Sequence, residues 1–210
     1  MNRYLAELIG TFLFVLAIGC VVLAAPIGAF APLAIGSALM AMVYATGHIS
    51  GGHLNPAVTL AVVMRGKCKA ADAAPYIGAQ IIGAALAALV VRYLRPEAAS
   101  AITAMTPDVP RALVAEFLFT FALAYTVLNT ATAKGNAGNS FYGLAIGFIV
   151  LVGAYAVGDI SGGAFNPAVA VGISVLGISA WSNLWIFLVA NFAGAAAAAL
   201  AFRALNPADK

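Results

Sequence analysis

Two stretches of the chain are nearly the same. Residues 48–58 read HISGGHLNPAV and residues 159–169 read DISGGAFNPAV. Between Ile49–Val58 and Ile160–Val169, eight of ten positions are identical, at a fixed offset of 111. The likeness spreads outward at that offset. Leu33-Ala34-Ile35-Gly36 pairs with Leu144-Ala145-Ile146-Gly147, Ala79-Gln80 with Ala190-Asn191, and Gly83-Ala84-Ala85 with Gly194-Ala195-Ala196. Near the start the offset is 109, where Ala6-Glu7 and Thr11-Phe12 pair with Ala115-Glu116 and Thr120-Phe121. Long-period self-similarity is the mark of an internal duplication. The chain therefore reads as one domain of two repeats, about 1–95 and about 111–210, joined by a polar, Pro-containing linker at about 96–110.

Composition says what surrounds those repeats. Apolar residues make up 64% of the 210 and charged residues 8%, from 10 Lys+Arg and 7 Asp+Glu. A soluble domain carries about 25% charge because its surface faces water. Seventeen charges cannot coat such a surface, so the solvent is a lipid bilayer. The net charge of +3 is spread thinly, with no basic run beyond the Arg65–Lys69 cluster, which excludes nucleic acid as a partner. Cys20 falls mid-span and Cys68 in a loop, so neither a disulfide nor a metal framework is expected.

A bilayer core about 30 Å thick needs around 20 apolar residues to be crossed by a helix. Six stretches qualify: about 4–25, 31–47, 74–94, 111–133, 141–158 and 181–205. Two apolar pieces remain, 55–64 and 166–176. At about 1.5 Å per residue each reaches about 15 Å, half a bilayer. The first span could pass for a signal peptide ending at Ala24–Ala25. Its counterpart in the second repeat argues against that, since removing it would break the pairing.

Three spans per repeat is an odd number, so the repeats lie in the membrane with opposite orientation. The positive-inside rule orients the whole. With a cytoplasmic N-terminus, Arg3, Arg65, Lys67, Lys69, Lys134, Arg203 and Lys210 lie inside, and only Arg92, Arg95 and Arg111 outside. The expectation is a multi-pass protein of the cell membrane, a bacterial inner membrane, with both termini cytoplasmic. The first half-length piece then enters from the cytoplasm and the second from outside.

Asn-Pro-Ala heads each short piece. Asn is a favoured N-cap, and Pro suits the first helical position, where no N–H is needed. Ser-Gly-Gly at 50–52 and 161–163 lets the backbone turn sharply just before. Irregular backbone at membrane depth is tolerated only when buried in protein or lining a watery path. Ile49–Leu54 and Ile160–Phe165 are thus expected to line a path with bare carbonyls. Two half-helices entering from opposite faces meet by their N-termini, each carrying about half a positive charge. Such a meeting point repels cations and attracts the oxygen of a neutral hydroxylic molecule. The side-chain amides of Asn55 and Asn166 supply matching donors.

Paired HISGGHLNPAVT and DISGGAFNPAVA, six spans and the duplication resemble the aquaporin and glycerol-facilitator family of membrane channels, over essentially the whole chain. The resemblance implies an all-α membrane fold of six transmembrane helices plus two re-entrant half-helices in an inverted 3+3 repeat. It also implies a pore in every protomer, assembly as a homotetramer, and a water wire that reorients at Asn55 and Asn166 so that protons are not relayed. Its narrowest point, just outside the asparagines, matches Ile35, Ala154, Gly163 and Val169 here. Family members normally carry Arg directly after the second Asn-Pro-Ala, and glycerol facilitators carry Arg-Asp; this chain has Val169-Ala170. The four residues make a wide, apolar filter with no fixed charge, a feature that governs selectivity.

Other polar residues are fewer. Glu7 and Glu116 are ionisable groups inside spans, where function is the default. Their twin placement instead assigns them to satisfying the donors of the dipping loops. His48 and His53 flank Ser-Gly-Gly near the inner mouth and are expected to pin the loop, as no Cys or carboxylate cluster stands with them to hold a metal. Tyr4, Tyr93, Trp181 and Trp185 are interfacial belt residues, and Gly and Ala along 78–89 and 193–201 permit close helix packing.

The function expected is a passive channel for water and small uncharged polar solutes, without a cofactor. The wide filter suggests solutes larger than water: glycerol-like polyols, hydrogen peroxide, ammonia or neutral metalloid acids. One alternative is a secondary transporter, since inverted repeats and broken helices also describe those, although no carboxylate accompanies the asparagines to bind a coupling ion. Another is a structural membrane protein with an idle pore. No nucleophile–base pair or metal set lies near the inferred cavity, so an enzyme is not expected.

Overall fold

Residues 1–24 and 28–209 are described in the computed structural model of the chain. Ala25, the expected end of the first span, and Lys210, one of the seven expected inner cations, lie outside them. Each long apolar stretch folds as one helix, because lipid leaves the backbone no partners but its own. In chain order these are α1 (Asn2–Val22), α2 (Ala31–Ser50), α4 (Ala70–Leu94), α6 (Val109–Val127), α7 (Tyr142–Ser161) and α9 (Leu184–Leu205), with the half-helices α3 (Pro56–Met64) and α8 (Pro167–Leu176) between them. A short helix, α5 (Pro96–Ser100), opens the linker. Among the described residues, six helical segments are long and apolar enough to cross a membrane.

The spans are apolar all round but bury only one stripe. On α1 the buried set is Ala6, Glu7, Gly10, Thr11, Phe14, Val15, Ile18 and Gly19, at three- and four-residue spacing, while Leu5, Ile9 and Leu13 are exposed. The outward stripe is apolar and exposed and the inward one carries the small and polar groups, as expected where lipid tails give no hydrophobic drive between helices.

The packing repeats with the sequence: α1 lies against α4 as α6 lies against α9, and α2 crosses α7. Glycine makes these crossings tight. A Cβ on Gly83 would sit 2.5 Å from the Leu8 carbonyl oxygen, and one on Gly194 would sit 2.5 Å from that of Phe117. At the α2–α7 crossing, a Cβ on Gly36 would sit 2.7 Å from the Gly147 carbonyl oxygen, and one on Gly147 would sit 2.5 Å from that of Gly36.

Helix ends extend past the apolar runs where polar contacts exist. α4 starts at Ala70, ahead of the expected 74, because Asp72 in its first turn accepts from Arg3 at 2.9 Å and from the Tyr4 hydroxyl at 2.8 Å. α2 and α7 continue to Ser50 and Ser161, three residues beyond the expected ends, and stop at Gly51 (φ 92°) and Gly162 (φ 93°). Only glycine adopts that left-handed cap without strain. After Val127, α6 loosens into a π turn over Leu128–Thr132, with Asn129, Thr130 and Thr132 side chains bonding back to carbonyls four residues earlier.

Candidate solute path

The half-helices meet head to head. Asn55 caps α3 with its Oδ1, which accepts from Ala57 N at 2.8 Å and Val58 N at 3.4 Å. Asn166 caps α8 likewise, from Ala168 N at 2.9 Å and Val169 N at 3.4 Å. These backbone donors fix which side-chain atom is oxygen, so both NH2 groups turn the other way. Asn55 Nδ2 donates to the Phe165 carbonyl and Asn166 Nδ2 to the Leu54 carbonyl, each at 2.9 Å. An amide nitrogen carries two hydrogens. One ties the repeats together, and the second is left for the central cavity that both asparagines line.

The cross-tie revises the expectation of six bare carbonyls in each loop. Those of Leu54 and Phe165 are taken by the asparagines, the Ser50 carbonyl accepts from the Tyr76 hydroxyl at 2.8 Å, and Ile49, Ser50, Ile160 and Ser161 are helical. The unwound carbonyls that remain are those of Gly51, Gly52 and His53, and of Gly162, Gly163 and Ala164.

Each loop is held from behind by a buried carboxylate. Glu7 Oε1 accepts from the Ser50 hydroxyl (2.6 Å) and His53 N (3.0 Å), and its Oε2 from Leu54 N and Gln80 Nε2 (both 2.7 Å). Glu116 repeats the pattern with Ser161 (2.8 Å), Ala164 N (2.9 Å), Phe165 N (2.7 Å) and Asn191 Nδ2 (2.8 Å). Both carboxylates are fully buried. They hold Leu54 (φ 50°) and Phe165 (φ 47°) in the left-handed region, a conformation costing about 1–3 kcal/mol that persists only when the surroundings over-determine it. Gln80, Asn191, Ser50 and Ser161 are partners that the sequence reading did not assign. Their one signal was that polar residues recur at the repeat offset inside apolar spans.

The histidines divide. His48 is exposed on the last turn of α2, with no hydrogen bond among the described residues; it does not support the loop. His53 does: it is buried, its Nδ1 lies 3.2 Å from Thr59 Oγ1, and its ring packs on Tyr76 with centroids 5.0 Å apart. The Thr59 hydroxyl donates to the Asn55 carbonyl (3.0 Å) and accepts from Gln80 (3.0 Å). Toward His53 it can only accept, so Nδ1 carries the proton and Nε2 is left as an acceptor.

Three cavities follow one another along the molecule. One, called inner because it lies at the end expected to face the cytoplasm, measures about 440 Å³ and is lined by Arg3, Ser50, His53, Lys67, Asp72 and Tyr76 among others. The Cys68 thiol opens on it and is pushed up from its ordinary value by burial, so it is protonated at neutral pH. The outer cavity, about 370 Å³, brings together Ile35 from α2, Ala154 from α7, Gly163 from the second loop and Val169 from α8. Met105 of the linker joins them, held there by its N–H on the Ile178 carbonyl at 3.0 Å; nothing in the linker sequence marked it. Between the two, at Asn55 and Asn166, lies a cavity of about 20 Å³. Of these three cavities the one at the asparagines is the smallest.

This geometry has known counterparts. Residues 1–202 match the Major intrinsic protein family. The chain belongs to that family. It is 39% identical to the Glycerol uptake facilitator protein-like 6 of Lactiplantibacillus plantarum, with both chains covered in full. It is 37% identical to Aquaporin NIP1-4 of Oryza sativa subsp. japonica, over 96% of this chain and 76% of that one. Among solved structures, the aquaglyceroporin from Plasmodium falciparum superposes with a TM-score of 0.84, at 21% identity, covering 99% of this chain and 97% of that chain. The last likeness carries the fold. As a family member the chain is a multi-pass membrane channel for water and small solutes, in a family of channels rather than enzymes.

Proposed function

We propose that the protein is a passive channel for water and for small uncharged polar solutes wider than water, such as glycerol-like polyols, hydrogen peroxide, ammonia or neutral metalloid acids. One observation carries this reading. The two half-helix N-termini and the spare N–H groups of Asn55 and Asn166 converge on a path whose outer cavity, at Ile35, Ala154, Gly163 and Val169, is lined by no charged side chain among the described residues. A neutral hydroxyl oxygen is matched there by donors, whereas a cation meets two positive dipole ends. The likeness to the Glycerol uptake facilitator protein-like 6 of Lactiplantibacillus plantarum supports a solute larger than water.

The chain acts as one channel domain built from the repeats 1–95 and 111–210, in a homotetramer with a pore per protomer. It sits in a cell membrane with both termini cytoplasmic. In support, Arg65 and Lys134 share Asp209, and Arg3, Lys67 and Lys69 share the inner cavity, so the expected inner cations gather at one end. Among the described residues no carboxylate lines the central cavity, so a coupling ion has no ligand there and the transporter alternative loses its site. Uptake of water, glycerol and arsenous acid into proteoliposomes tests the proposal: all three exceed protein-free vesicles if it is right, and water alone passes if the solute range is wrong.

A further inference from the structure

We infer that solute size is selected where the half-helices meet and that Phe14 sets the limit there, an inference that rests on the channel reading above. The outer cavity of about 370 Å³ and the inner one of about 440 Å³ are both roomy. The central one, about 20 Å³, is smaller by more than tenfold. One water needs roughly 10–15 Å³ of such space, so the central space takes about one water. A solute with a carbon skeleton passes only when the wall yields.

That wall is mixed. Asn55, Asn166 and His53 supply its polar groups; Phe14, Leu39, Leu123, Val127, Ile146 and Val150 supply most of the apolar ones. The polar groups are pinned, the asparagines by the opposite loop's carbonyls and His53 by Thr59 and Tyr76. The apolar side chains are held by packing alone, so the width depends on their bulk. The internal symmetry shows which of them narrows the path. Leu39 corresponds to Val150, a difference of one carbon, while Phe14 corresponds, at the offset of 109, to Leu123. Phe14 is the bulkiest apolar group on the central cavity, is 3% exposed, and touches neither the inner nor the outer one. The opposite repeat shows that a leucine fits the corresponding place.

The test uses full-length protein in liposomes, measuring water by osmotic shrinkage and glycerol by reswelling in the same vesicles, so that their ratio does not depend on protein density. Phe14→Leu raises the glycerol-to-water ratio several-fold, and more than Val169→Ala does. Leu123→Phe and Phe14→Trp lower it. If the parent excludes glycerol, the gain in Phe14→Leu appears as glycerol passage where there was none. An unchanged ratio in Phe14→Leu and Leu123→Phe, or a larger rise in Val169→Ala, overturns the assignment and returns size selection to the outer cavity. Parent vesicles that pass neither water nor glycerol above lipid alone would instead overturn the channel reading itself.

Discussion

At position 169 stands a β-branched hydrocarbon, where an arginine guanidinium would supply five donors and a fixed charge. Val169 is 4% exposed and borders the outer cavity together with Ile35 and Ala154, so a longer side chain would project into that space. Val169→Arg should cut glycerol passage severely, by tenfold or more on the order of 1.4 kcal/mol of added barrier, and water passage much less. Paired swelling rates of the two forms check it, and equal proportional loss would show that the outer cavity is not narrowed by residue 169. Asn55→Asp or Asn166→Asp replaces the donor to the opposite loop's carbonyl with an acceptor, and places negative charge on the half-helix dipoles. Neutral-solute flux should fall and cation conductance should appear in planar-bilayer recordings; parental behaviour would remove the asparagines from the central role. The asparagines and glutamates were legible because the duplication repeats them. The choice between His48 and His53 was not, since five residues of chain separate an exposed helical turn from a buried loop, and Met105 reaches the outer cavity through a backbone contact with no sequence pattern.

The half-helices are the elements on which the path depends, and their loops are stable only through what lies behind them. Glu116 accepts four hydrogen bonds, two of them from backbone N–H groups. Glu116→Ala leaves those buried donors unmatched, at about 1–3 kcal/mol each, a large share of the roughly 5–15 kcal/mol that holds a protein folded. Glu116→Gln keeps one acceptor oxygen and should cost less. Thermal unfolding in detergent should therefore rank the parent above Gln and Gln above Ala, with the same order at Glu7; no difference between Gln and Ala would mean the carboxylate does not hold the loop. Hydropathy alone located all eight apolar elements, since each is one continuous run. It placed their ends less well, because a helix end is decided by local contacts such as Arg3 and Tyr4 on Asp72, and by the left-handed glycines at 51 and 162, which apolar length does not register.

Across the whole molecule, a carboxylate helps to stitch the two repeats at one end. Asp209 accepts from Lys134 N at 2.7 Å and from Arg65 at 2.5 Å, joining the end of α3 to the segment after α6. The Lys134 backbone N–H, then the Arg65 guanidinium, hold its carboxyl below the ordinary 3.8. A carboxyl lowered in the folded state contributes stability that is complete above its ordinary value and is lost as pH falls through the lower one. Asp209→Asn should thus melt below the parent at neutral pH, and the gap should close as the pH drops under 3.8; a constant gap would assign the effect to something other than charge. The central claim concerns the molecule as a conduit: opposed helix ends and two amides pass neutral solutes down their gradients and nothing uphill. The most direct measurement is the initial rate of glycerol entry into proteoliposomes against the glycerol gradient, with and without imposed sodium and proton gradients, while current is recorded. Entry should exceed that of protein-free vesicles, follow the glycerol gradient alone, and carry no current. Entry that needs an ion gradient, or that does not exceed bare lipid, would contradict it.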